Sequence, residues 1–557
     1  MTRAEIKSFN SVFSLLGRKR ILYVLFSLIS GISVFVLFSS VGILMRELLD
    51  MIDSQSSVSL LNILLYIAII FLMSLLGGLT ESGFCSLEMD VQAKVRRKML
   101  ESIYNADLNK NIKMDLGELF ARITDDASRC AKAVSVRLSD YVFIPMVSGL
   151  VSFIFLFFVN IFLAFFCLAV ALLNLALLSV FRKRIDSINS SIAALRGNVN
   201  SSAREILNGS AEIRIFGLNN LFLKRVEEKA DEIYSLTVKK EKYANLRYSI
   251  YNISADGLTS VAAVILAYFL SKAGYMDFAD VFLARPLADQ ISQMLVAFSN
   301  FSVLMSQITP SIRRTEEVMN MRKERKGGIV LKGANRISFE NVSFSYPDGN
   351  SVLHSISFTL EKGKKYAFVG ESGSGKSTIL KLLMGFYMPT EGKVTLNGVS
   401  SEEADLLSWR GNFSYLNQSY SILNTSIAQN ISFSSSPDDE KVLKTLESVN
   451  ALSFIRKRNL DIHEKRNVST LQLSGGERQR ISVARVLYQD NPVLVLDEAT
   501  SALDKENRDN LSSILSSIDD KIIVSVTHQM DFLSGFDQVF AVSEGKLERL
   551  EHLENMK

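Results

Sequence analysis

A glycine-rich stretch, Gly370–Thr378, carries the clearest chemistry in this chain of 557 residues. It matches the G-x-x-x-x-G-K-[ST] pattern, in which backbone N–H groups surround phosphates and a helix N-terminus adds its positive end. The apolar run Tyr366–Val369 precedes it as a strand would, and Ile379–Met384 follows with helical character. This strand–loop–helix context predicts a nucleoside triphosphate site. The residues expected to line it are Ser372, Gly373, Ser374, Gly375, Lys376, Ser377 and Thr378.

Two side chains of this loop have distinct predicted roles. Lys376 would reach the β and γ phosphates, and the Ser377 hydroxyl would bind Mg²⁺. Further on, the apolar run Val493–Leu496 indicates a strand that ends in Asp497 and Glu498. A strand-end Asp beside a phosphate loop is the expected Mg²⁺ partner. Glu498 is placed to polarise a water for attack on the γ-phosphate.

Two other strand ends carry candidate residues. Tyr346 ends an alternating stretch, where its ring could stack on an adenine or be an ordinary strand-end tyrosine. His528 ends the buried-strand pattern Ile522–Thr527. A lone histidine is usually structural, but its place in a domain with a hydrolytic site favours contact with the γ-phosphate.

A second anion site is predicted at the start of another helix. Ser474, Gly475 and Gly476 open the apolar helix that follows Leu473. A serine and two glycines at a helix N-terminus suit a phosphate. One nucleotide in one monomer does not need two such sites.

The composition indicates a membrane part joined to a soluble part. Hydrophobic residues make up 48% of the chain and the mean hydropathy is +0.19, although 22% of residues are charged. The net charge of +4 is too balanced to indicate a nucleic acid partner. The cysteines, Cys85, Cys130 and Cys167, have neither the spacing of a metal site nor the even number of a disulfide framework.

Long stretches of low charge predict six membrane spans. A span needs about 20 apolar residues, so Tyr141–Phe181 must hold two, with the turn at Asn160. Basic clusters follow the second, fourth and sixth spans, and the positive-inside bias therefore makes both termini cytoplasmic. The two long charged inner segments, about 81–140 and 182–247, are expected to extend the spans into the cytoplasm as helices. The spans are Ile21–Met45, Ser54–Thr80, the two halves of Tyr141–Phe181, Tyr248–Leu270 and Val281–Ile308.

Polar residues recur inside the last two spans. Asn252 and Asp256 share one helical face of the fifth span, and Gln293 and Asn300 share one face of the sixth. They could form hydrogen bonds between helices or a polar wall along a substrate pathway. Asp256 favours the second possibility, because a buried carboxylate is costly without a role.

The chain resembles an ATP-binding cassette (ABC) transporter of the exporter type, a half-transporter with the membrane domain first. The resemblance is carried by the phosphate loop, the Leu473–Glu477 signature, the Asp497–Glu498 pair and Ser501–Asp504, and more loosely by the six spans. It implies a membrane α-helical six-span domain plus an α/β P-loop ATPase domain with a helical subdomain. We expect the membrane domain over residues 1–320, a linker over 321–334 and the nucleotide-binding domain over 335–557.

The resemblance also implies how ATP and Mg²⁺ are held. Two ATPase domains pack head to tail, and Ser474, Gly475, Gly476 and Asp504 of one complete the ATP site of the other. Gln418 contacts both the nucleotide and Mg²⁺, with Ser377 and Asp497 as the other Mg²⁺ ligands. No core ATPase residue is missing, which favours a homodimer without excluding a heterodimer. The signature ends in Glu477 where Gln is commoner, and we expect this change to be tolerated.

The leading hypothesis is ATP-driven export of an amphiphilic peptide, drug-like molecule or lipid from the cytoplasm, by alternating access through a dimer. The alternatives are a flippase for a lipid or lipid-linked molecule, and an importer on the same architecture. A soluble ATPase that binds nucleic acid shares the signature helix, but six spans argue against it. We expect an integral protein of the bacterial inner membrane.

Overall fold

The computed structural model describes residues 3–53, 60–107, 116–253, 259–346, 349–417, 420–464, 473–498, 505–527, 533 and 535–550. The chain forms two compact units. The helical unit comprises Met1–Tyr104 and Asp115–Asn320, and the α/β unit comprises Asn105–Met114 and Met321–Lys557.

Long continuous helices dominate the helical unit. Short 3₁₀ turns at Gly17–Lys19, Lys132–Val134 and Phe278–Asp280 and π-helical turns at Arg122–Asp126 and Ser139–Phe143 separate some of them. The helices are α1 Arg3–Ser14, α2 Arg20–Asp53, α3 Leu60–Tyr104, α4 Leu116–Ala121, α5 Ala127–Ala131, α6 Val136–Leu138, α7 Ile144–Val159, α8 Ile161–Asn208, α9 Ser210–Ile215, α10 Asn219–Asn252, α11 Ser260–Lys272 and α12 Val281–Met319.

The turn predicted at Asn160 is confirmed. Helix α7 ends at Val159 and α8 begins at Ile161, with Asn160 in an extended conformation between them. The Asn160 side chain accepts a hydrogen bond from the backbone N–H of Leu163 at 3.0 Å. The first N–H groups of a helix have no acceptor within the helix, and this side chain accepts a hydrogen bond from one of them. The extended backbone of Asn160 ends α7, and its side chain stabilises the start of α8.

Four helical stretches in the described part of the chain are long and apolar enough to cross a bilayer. Two shorter apolar helices accompany them, Ile161–Ala176 and Ser260–Lys272. Several helices run well beyond the apolar part, as expected for spans that extend into water. The long stretches are Gly17–Met45, Ile63–Tyr104, Gly117–Val159 and Phe278–Met319.

Helix α12 is the centre of the helical unit. Small residues on it, Ala284 and Ala288, are fully buried against Ala263 and Ala267 of α11. Small side chains let helices approach closely, which is how apolar helices gain packing contacts in a bilayer. Polar pairs add hydrogen bonds between helices: the buried Ser152 hydroxyl of α7 donates to the Gln290 side chain of α12 at 2.9 Å.

An ionic network joins the segment around α4 and α5 to the C-terminal half of α12. The carboxylate of Asp126 is buried, accepts a hydrogen bond from Ser311 at 2.8 Å and takes two from the Arg314 guanidinium at 2.7 Å. The buried Arg122 side chain forms ion pairs with Glu118 and Glu317. Because each buried charge has an opposite partner, this network fixes the position of the segment.

The α/β unit contains two sheets. A six-stranded sheet has the order β10-β9-β3-β8-β7-β6, and a four-stranded antiparallel sheet has the order β2-β1-β4-β5. The strands are β1 Arg336–Ser345, β2 Ser351–Glu361, β3 Lys365–Val369, β4 Glu391–Leu396, β5 Val399–Ser400, β6 Phe413–Leu416, β7 Val493–Asp497, β8 Ile522–Val526, β9 Gln538–Ser543 and β10 Lys546–Leu550. The helices are α13 Lys376–Leu383, α14 Leu406–Arg410, α15 Ile427–Ser432, α16 Asp439–Ser448, α17 Leu452–Lys457, α18 Gly475–Gln489 and α19 Lys505–Ser516.

Four neighbouring strands of the larger sheet, β3, β8, β7 and β6, run parallel. Their register aligns Phe368 of β3 with Val526 of β8, and Val526 with Asp497 of β7. Leu416 of β6 lies opposite Leu496. The carboxyl ends of all four strands therefore meet at one edge of the sheet, where ligands bind in sheets of this kind.

The segment before β1 is bonded to the α/β unit along its length. Glu324 forms an ion pair with Arg410, whose guanidinium also lies 4.9 Å from the centre of the Phe386 ring. Arg325 donates a hydrogen bond to the Ala404 carbonyl, and the Ile329 N–H donates to the Glu403 carbonyl. The composition of this segment indicates a linker, and these contacts give it a fixed path.

The ionic network yields a prediction about the stability of the helical unit. Asp126→Asn removes the charge from two hydrogen bonds to Arg314 and should cost roughly 1.5–3 kcal/mol of unfolding free energy. Circular dichroism of the purified protein in detergent should show a melting temperature lowered by several degrees. The matched control is Asp125→Asn at the exposed neighbouring position, which should melt like the wild type. Equal melting of both variants would contradict the assigned role of Asp126.

Candidate nucleotide site and membrane cavities

The predicted phosphate loop connects β3 to α13, and its glycines are required by the fold itself. Gly370 has a φ of 148°, and a Cβ atom there would lie 2.2 Å from the Val542 carbonyl oxygen. Gly375 has a φ of 111°, and a Cβ atom there would lie 2.9 Å from the Leu353 side chain. Because L-residues rarely adopt these angles and the space is already filled, only glycine allows this path.

Lys376 begins α13 and is only 5% exposed. Its ammonium group donates hydrogen bonds to the carbonyl oxygens of Gly370, at 2.9 Å, and Glu371, at 2.6 Å. Burial lowers the pKa of this ammonium, and the charges of Glu498 and Asp497 oppose that shift. The ammonium is thus held across the loop, where phosphate oxygens could replace the two carbonyls as acceptors.

The serines of the loop differ in exposure. Ser372 and Ser377 are exposed, with the Ser377 hydroxyl at the second position of α13. The hydroxyl of Ser374 is buried and forms no hydrogen bond with any described residue. An unsatisfied buried hydroxyl costs about 1–3 kcal/mol, so a phosphate oxygen that accepted a hydrogen bond from it would stabilise the loop.

The two carboxylates lie at the end of β7. Asp497 is buried, and the Tyr415 hydroxyl donates to its Oδ2 atom at 3.2 Å. Burial raises the pKa of Asp497, and the hydrogen bond from Tyr415 acts in the opposite direction without cancelling that rise. Glu498 leaves the strand with a φ of 52°, a left-handed conformation that costs roughly 1 kcal/mol for a residue with a side chain. Its N–H donates to the Val526 carbonyl and its own carbonyl accepts from Tyr420.

Tyr346 lies beside the start of α13. Its hydroxyl is hydrogen-bonded to the Thr378 hydroxyl at 2.9 Å, and its ring packs edge-on against Tyr387 with centroids 5.4 Å apart. The Lys381 ammonium lies 5.9 Å from the ring centroid. These contacts fix a half-buried aromatic ring next to the phosphate loop, which is compatible with stacking on a base.

The signature helix, α18, begins with a reciprocal cap. The Ser474 hydroxyl accepts from the Glu477 N–H at 3.2 Å, and the Ser474 N–H donates to the Glu477 carboxylate at 2.8 Å. A Cβ atom on Gly475 would meet nothing within 4 Å, and one on Gly476 would meet only the Arg480 side chain at 4.0 Å. Unlike the glycines of the phosphate loop, these two are not needed by the fold of their own chain.

Four predicted site residues, Gln418, Asp504, His528 and Asp256, lie outside the described residues. Two described residues that precede them in the chain lie at the edge of the sheet, since β6 ends at Leu416 and the Thr527 N–H donates to the Phe368 carbonyl. Asn252 is the last residue of α10, and only its backbone belongs to the described structure. The roles of these five residues stay predictions.

Two contacts of the site were not expected from the sequence. Tyr415 and Tyr420 bind the side chain of Asp497 and the backbone of Glu498, although they precede these residues by about 80 positions. The only signal in the sequence is their position on either side of Gln418, at the end of an apolar strand.

Two cavities bordered by described residues of the helical unit bear on the predicted substrate pathway. The larger, of about 1310 Å³, lies among α2, α11 and α12 and has aromatic and aliphatic walls. The polar residues on its wall include Arg285, Asp289 and Gln293. The second, of about 520 Å³, is lined by polar and aromatic side chains: Asp140, Tyr141, Arg247, Tyr248, Gln293 and Asn300.

Gln293 borders both cavities, and Asn300 borders the smaller one. The Gln293 amide donates to the Asp289 carboxylate at 3.2 Å, and the Asn300 amide donates to the Tyr141 carbonyl at 3.3 Å. Asn300 therefore combines the two possibilities left open by the sequence, because it bonds to another segment and also borders a cavity. Gln293 borders both cavities, but its hydrogen bond to Asp289 lies within α12.

Comparison with known proteins assigns both parts of the chain. Residues 353–501 match the family model described as ABC transporter, and residues 21–295 match that of the ABC transporter transmembrane region. The chain is similar to the ATP-dependent lipid A-core flippase of Photorhabdus laumondii, with 29% identity over 92% of this chain and 89% of that protein. The flippase of the same description from Pseudoalteromonas atlantica is 30% identical over 67% of this chain and 64% of that protein.

A solved structure of a bacterial Atm1-family ABC exporter with ATP bound has a similar fold. It superposes with a TM-score of 0.77, covering 97% of this chain and 96% of the other, at 19% identity. At this identity the similarity bears on the fold alone.

The difference between the phosphate-loop glycines, which the fold requires, and the signature-helix glycines, which it does not, leads to a stability prediction. Gly370→Ala places a methyl group against the Val542 carbonyl and should destabilise the α/β unit by roughly 2–5 kcal/mol. Gly475→Ala meets no neighbour and should raise the free energy of unfolding by up to about 1 kcal/mol. Fluorescence of Trp409, the single tryptophan and a buried residue of this unit, measures both transitions. Destabilisation of similar size by the two substitutions would refute the distinction.

Proposed function

The chain belongs to the ABC transporters, as an exporter-type half-transporter that couples ATP hydrolysis to transport across a membrane, and we propose that its substrate is an anionic lipid-like amphiphile. The observation that carries this proposal is the larger cavity of the helical unit. Its walls are mostly apolar, whereas Arg285 presents an exposed guanidinium to it.

The chemistry of this cavity suits a molecule with two different ends. Five aromatic residues on its wall can pack against acyl chains, and the Arg285 guanidinium can bind a phosphate or carboxylate with two parallel hydrogen bonds. The same wall carries the Asp289 carboxylate, one helical turn from Arg285, which accepts a hydrogen bond from the Gln293 amide. A charged side chain within a membrane span is costly, so the retention of Arg285 favours a ligand with an anionic group that the guanidinium can bind. The aromatic residues are Phe38, Tyr268, Phe269, Phe278 and Phe282.

The relatives support a lipid as the substrate. The similar proteins from Photorhabdus laumondii and Pseudoalteromonas atlantica are described as lipid A-core flippases. A flippase for a lipid and an exporter for an amphiphile share one architecture, because both move a molecule from the inner side of the membrane. We therefore infer outward movement of a lipid-like molecule rather than import.

For hydrolysis we propose that Glu498 is the general base. It would take a proton from water as the water oxygen attacks the γ-phosphorus, and the bond from phosphorus to the leaving oxygen of ADP would break. Lys376 and the loop N–H groups would stabilise the phosphate charge, and His528 would contact the γ-phosphate. Tyr346 would stack on the adenine, and Ser372, Gly373, Ser374, Gly375 and Thr378 would complete the wall of the site.

The oxygen donors at the site fit Mg²⁺. The ion prefers oxygen ligands, keeps several waters and takes one or two carboxylates together with phosphate oxygens. Ser377 offers an exposed hydroxyl at the start of α13, and Asp497 offers a carboxylate at the end of β7. With Gln418 these residues would hold the ion, which would neutralise charge on the β and γ phosphates.

Two copies of the chain would share each ATP. Gly475 and Gly476 leave the first turn of α18 open to close approach from outside the chain. Glycine weakens a helix by about 1 kcal/mol relative to alanine, so two glycines here favour a role toward a ligand or partner. We propose a homodimer in which Ser474, Gly475, Gly476 and Asp504 of each copy complete the site of the other.

The protein is a membrane protein, and we propose the bacterial inner membrane as its location because its listed relatives are bacterial flippases. We propose six spans, formed by the four long apolar stretches and the two shorter apolar helices, with both termini in the cytoplasm. The proposed domains are residues 1–320 in the membrane, a linker at 321–334 and the nucleotide-binding domain at 335–557. Asn252, Asp256, Gln293 and Asn300 would line the substrate pathway.

The role of Glu498 is tested by Glu498→Gln, which keeps the shape of the side chain without its basicity. Loss of a general base should lower ATPase turnover by at least about a hundredfold. ATP should still bind, so the ATP-bound dimer should accumulate and be detectable by native mass spectrometry. Glu544→Gln is the matched control, since Glu544 is another glutamate in a left-handed conformation but is exposed on the surface. Normal turnover of Glu498→Gln would exclude this base.

The substrate proposal is tested in proteoliposomes. Anionic two-chain lipids should stimulate ATPase activity, whereas zwitterionic or cationic lipids with the same chains should stimulate it less. Arg285→Ala should raise the half-stimulating concentration of the anionic lipid about tenfold, the loss expected for one charged hydrogen-bonding partner. Arg204→Ala, at an exposed arginine of α8, should change nothing. Equal stimulation by all three lipid classes would refute an anionic substrate.

A further inference from the structure

Glu477 places a negative charge in the first turn of the signature helix. The residue is only 7% exposed, and its carboxylate accepts the hydrogen bond from the Ser474 N–H that closes the helix cap. A glutamine at this position could accept the same hydrogen bond through its side-chain oxygen. The charge is therefore not required for capping.

That charge works against the proposed role of the helix. A helix N-terminus attracts anions through its free N–H groups and its positive end, and a carboxylate in the first turn partly cancels this attraction. If Ser474–Gly476 closes over the γ-phosphate held by the second copy, an uncompensated Glu477 would repel it. A compensating positive charge is needed close to Glu477 and outside the path of the phosphate.

Arg458 supplies such a charge from a neighbouring helix. It follows α17 directly, and its guanidinium lies 3.0 Å from the Glu477 carboxylate, on the oxygen that does not cap Ser474. A second contact joins the same two helices, since the Arg480 guanidinium of α18 lies 5.4 Å from the centre of the Phe454 ring of α17. The two oxygens of Glu477 are thus divided between the helix cap and Arg458.

We propose that Arg458 is a positioning residue for the ATP site of the second copy. By neutralising Glu477 it keeps the N-terminus of α18 attractive to the γ-phosphate. It also keeps the carboxylate in the orientation in which one oxygen accepts the hydrogen bond from the Ser474 N–H. Arg458 itself does not touch the nucleotide. The inference rests on the proposed head-to-tail dimer and explains how this chain accommodates a glutamate in its signature.

The test is steady-state ATPase activity of the full-length protein in liposomes. Arg458→Ala should raise the KM for ATP about tenfold and leave kcat within about twofold, because saturating ATP overcomes weaker attraction. The increase in KM should shrink at high salt, which screens charges beyond a few ångströms. Arg456→Ala is the matched control, as it removes the same charge from an exposed position on α17.

A second substitution separates charge from structure. In the Arg458→Ala background, Glu477→Gln should return the KM to within about twofold of the wild type, since it removes the unpaired charge and keeps the cap. An unchanged KM in Arg458→Ala, or no rescue by Glu477→Gln, would overturn the proposal. If Arg458→Ala fails to fold, Arg458→Gln keeps the length and hydrogen-bonding groups of the side chain, and the same criteria apply to it.

Gly476→Ala distinguishes failure of this proposal from failure of the dimer. Its methyl group has room within the chain, so it should fold normally and impair ATPase activity only if a partner copy closes on α18. Wild-type activity of Gly476→Ala would refute the composite site and this proposal with it. Impaired Gly476→Ala together with an unaffected Arg458→Ala would refute the role of Arg458 alone.

Discussion

The parallel register of β3, β8, β7 and β6 is the constraint on which the ATPase half depends. It brings the phosphate loop, Asp497 and Glu498 to one edge of the sheet, although they are separated by more than a hundred residues along the chain. Lys376 is buried close enough to both carboxylates for their charges to act on its pKa. A shift of one strand by a single residue would separate these charges and turn their side chains to the other face.

Different physical constraints act on the glycines of the phosphate loop and on those of the signature helix, the two predicted anion sites. Those of the phosphate loop are needed to build the loop, since their backbone angles or their surroundings exclude a side chain. Those of the signature helix have open space around them and ordinary backbone angles. The fold of one chain explains the first set, whereas none of the described residues around the second set requires glycine, as the proposed approach of a partner copy would lead one to expect. A motif match treats all of them alike, whereas the geometry separates folding from recognition.

Features that depend on residues close together along the chain could be predicted from the sequence. The turn at Asn160, the strand–loop–helix around Gly370 and the helix start at Ser474 each depend on neighbouring residues, and each is found in the structure. The contacts of Tyr415 with Asp497 and of Arg122 with Glu317 could not be predicted, because they join residues far apart in sequence. Helical spacing placed Gln293 and Asn300 on one face but could not decide between hydrogen bonding and a cavity wall, and in the structure both residues border a cavity.

The pair of Arg458 and Glu477 shows why a change in a motif has to be considered together with its surroundings. Three residues further along the same helix lies Arg480, which would be a natural partner for Glu477, but its guanidinium packs on Phe454. The partner comes instead from the residue after α17, where backbone carbonyls at the helix end also favour a positive charge. Arg458 is therefore stabilised by its own helix as well as by Glu477. The Glu477 carboxylate is paired with a cation from the neighbouring helix, and in the proposed composite site the two positions act as one electrostatic unit.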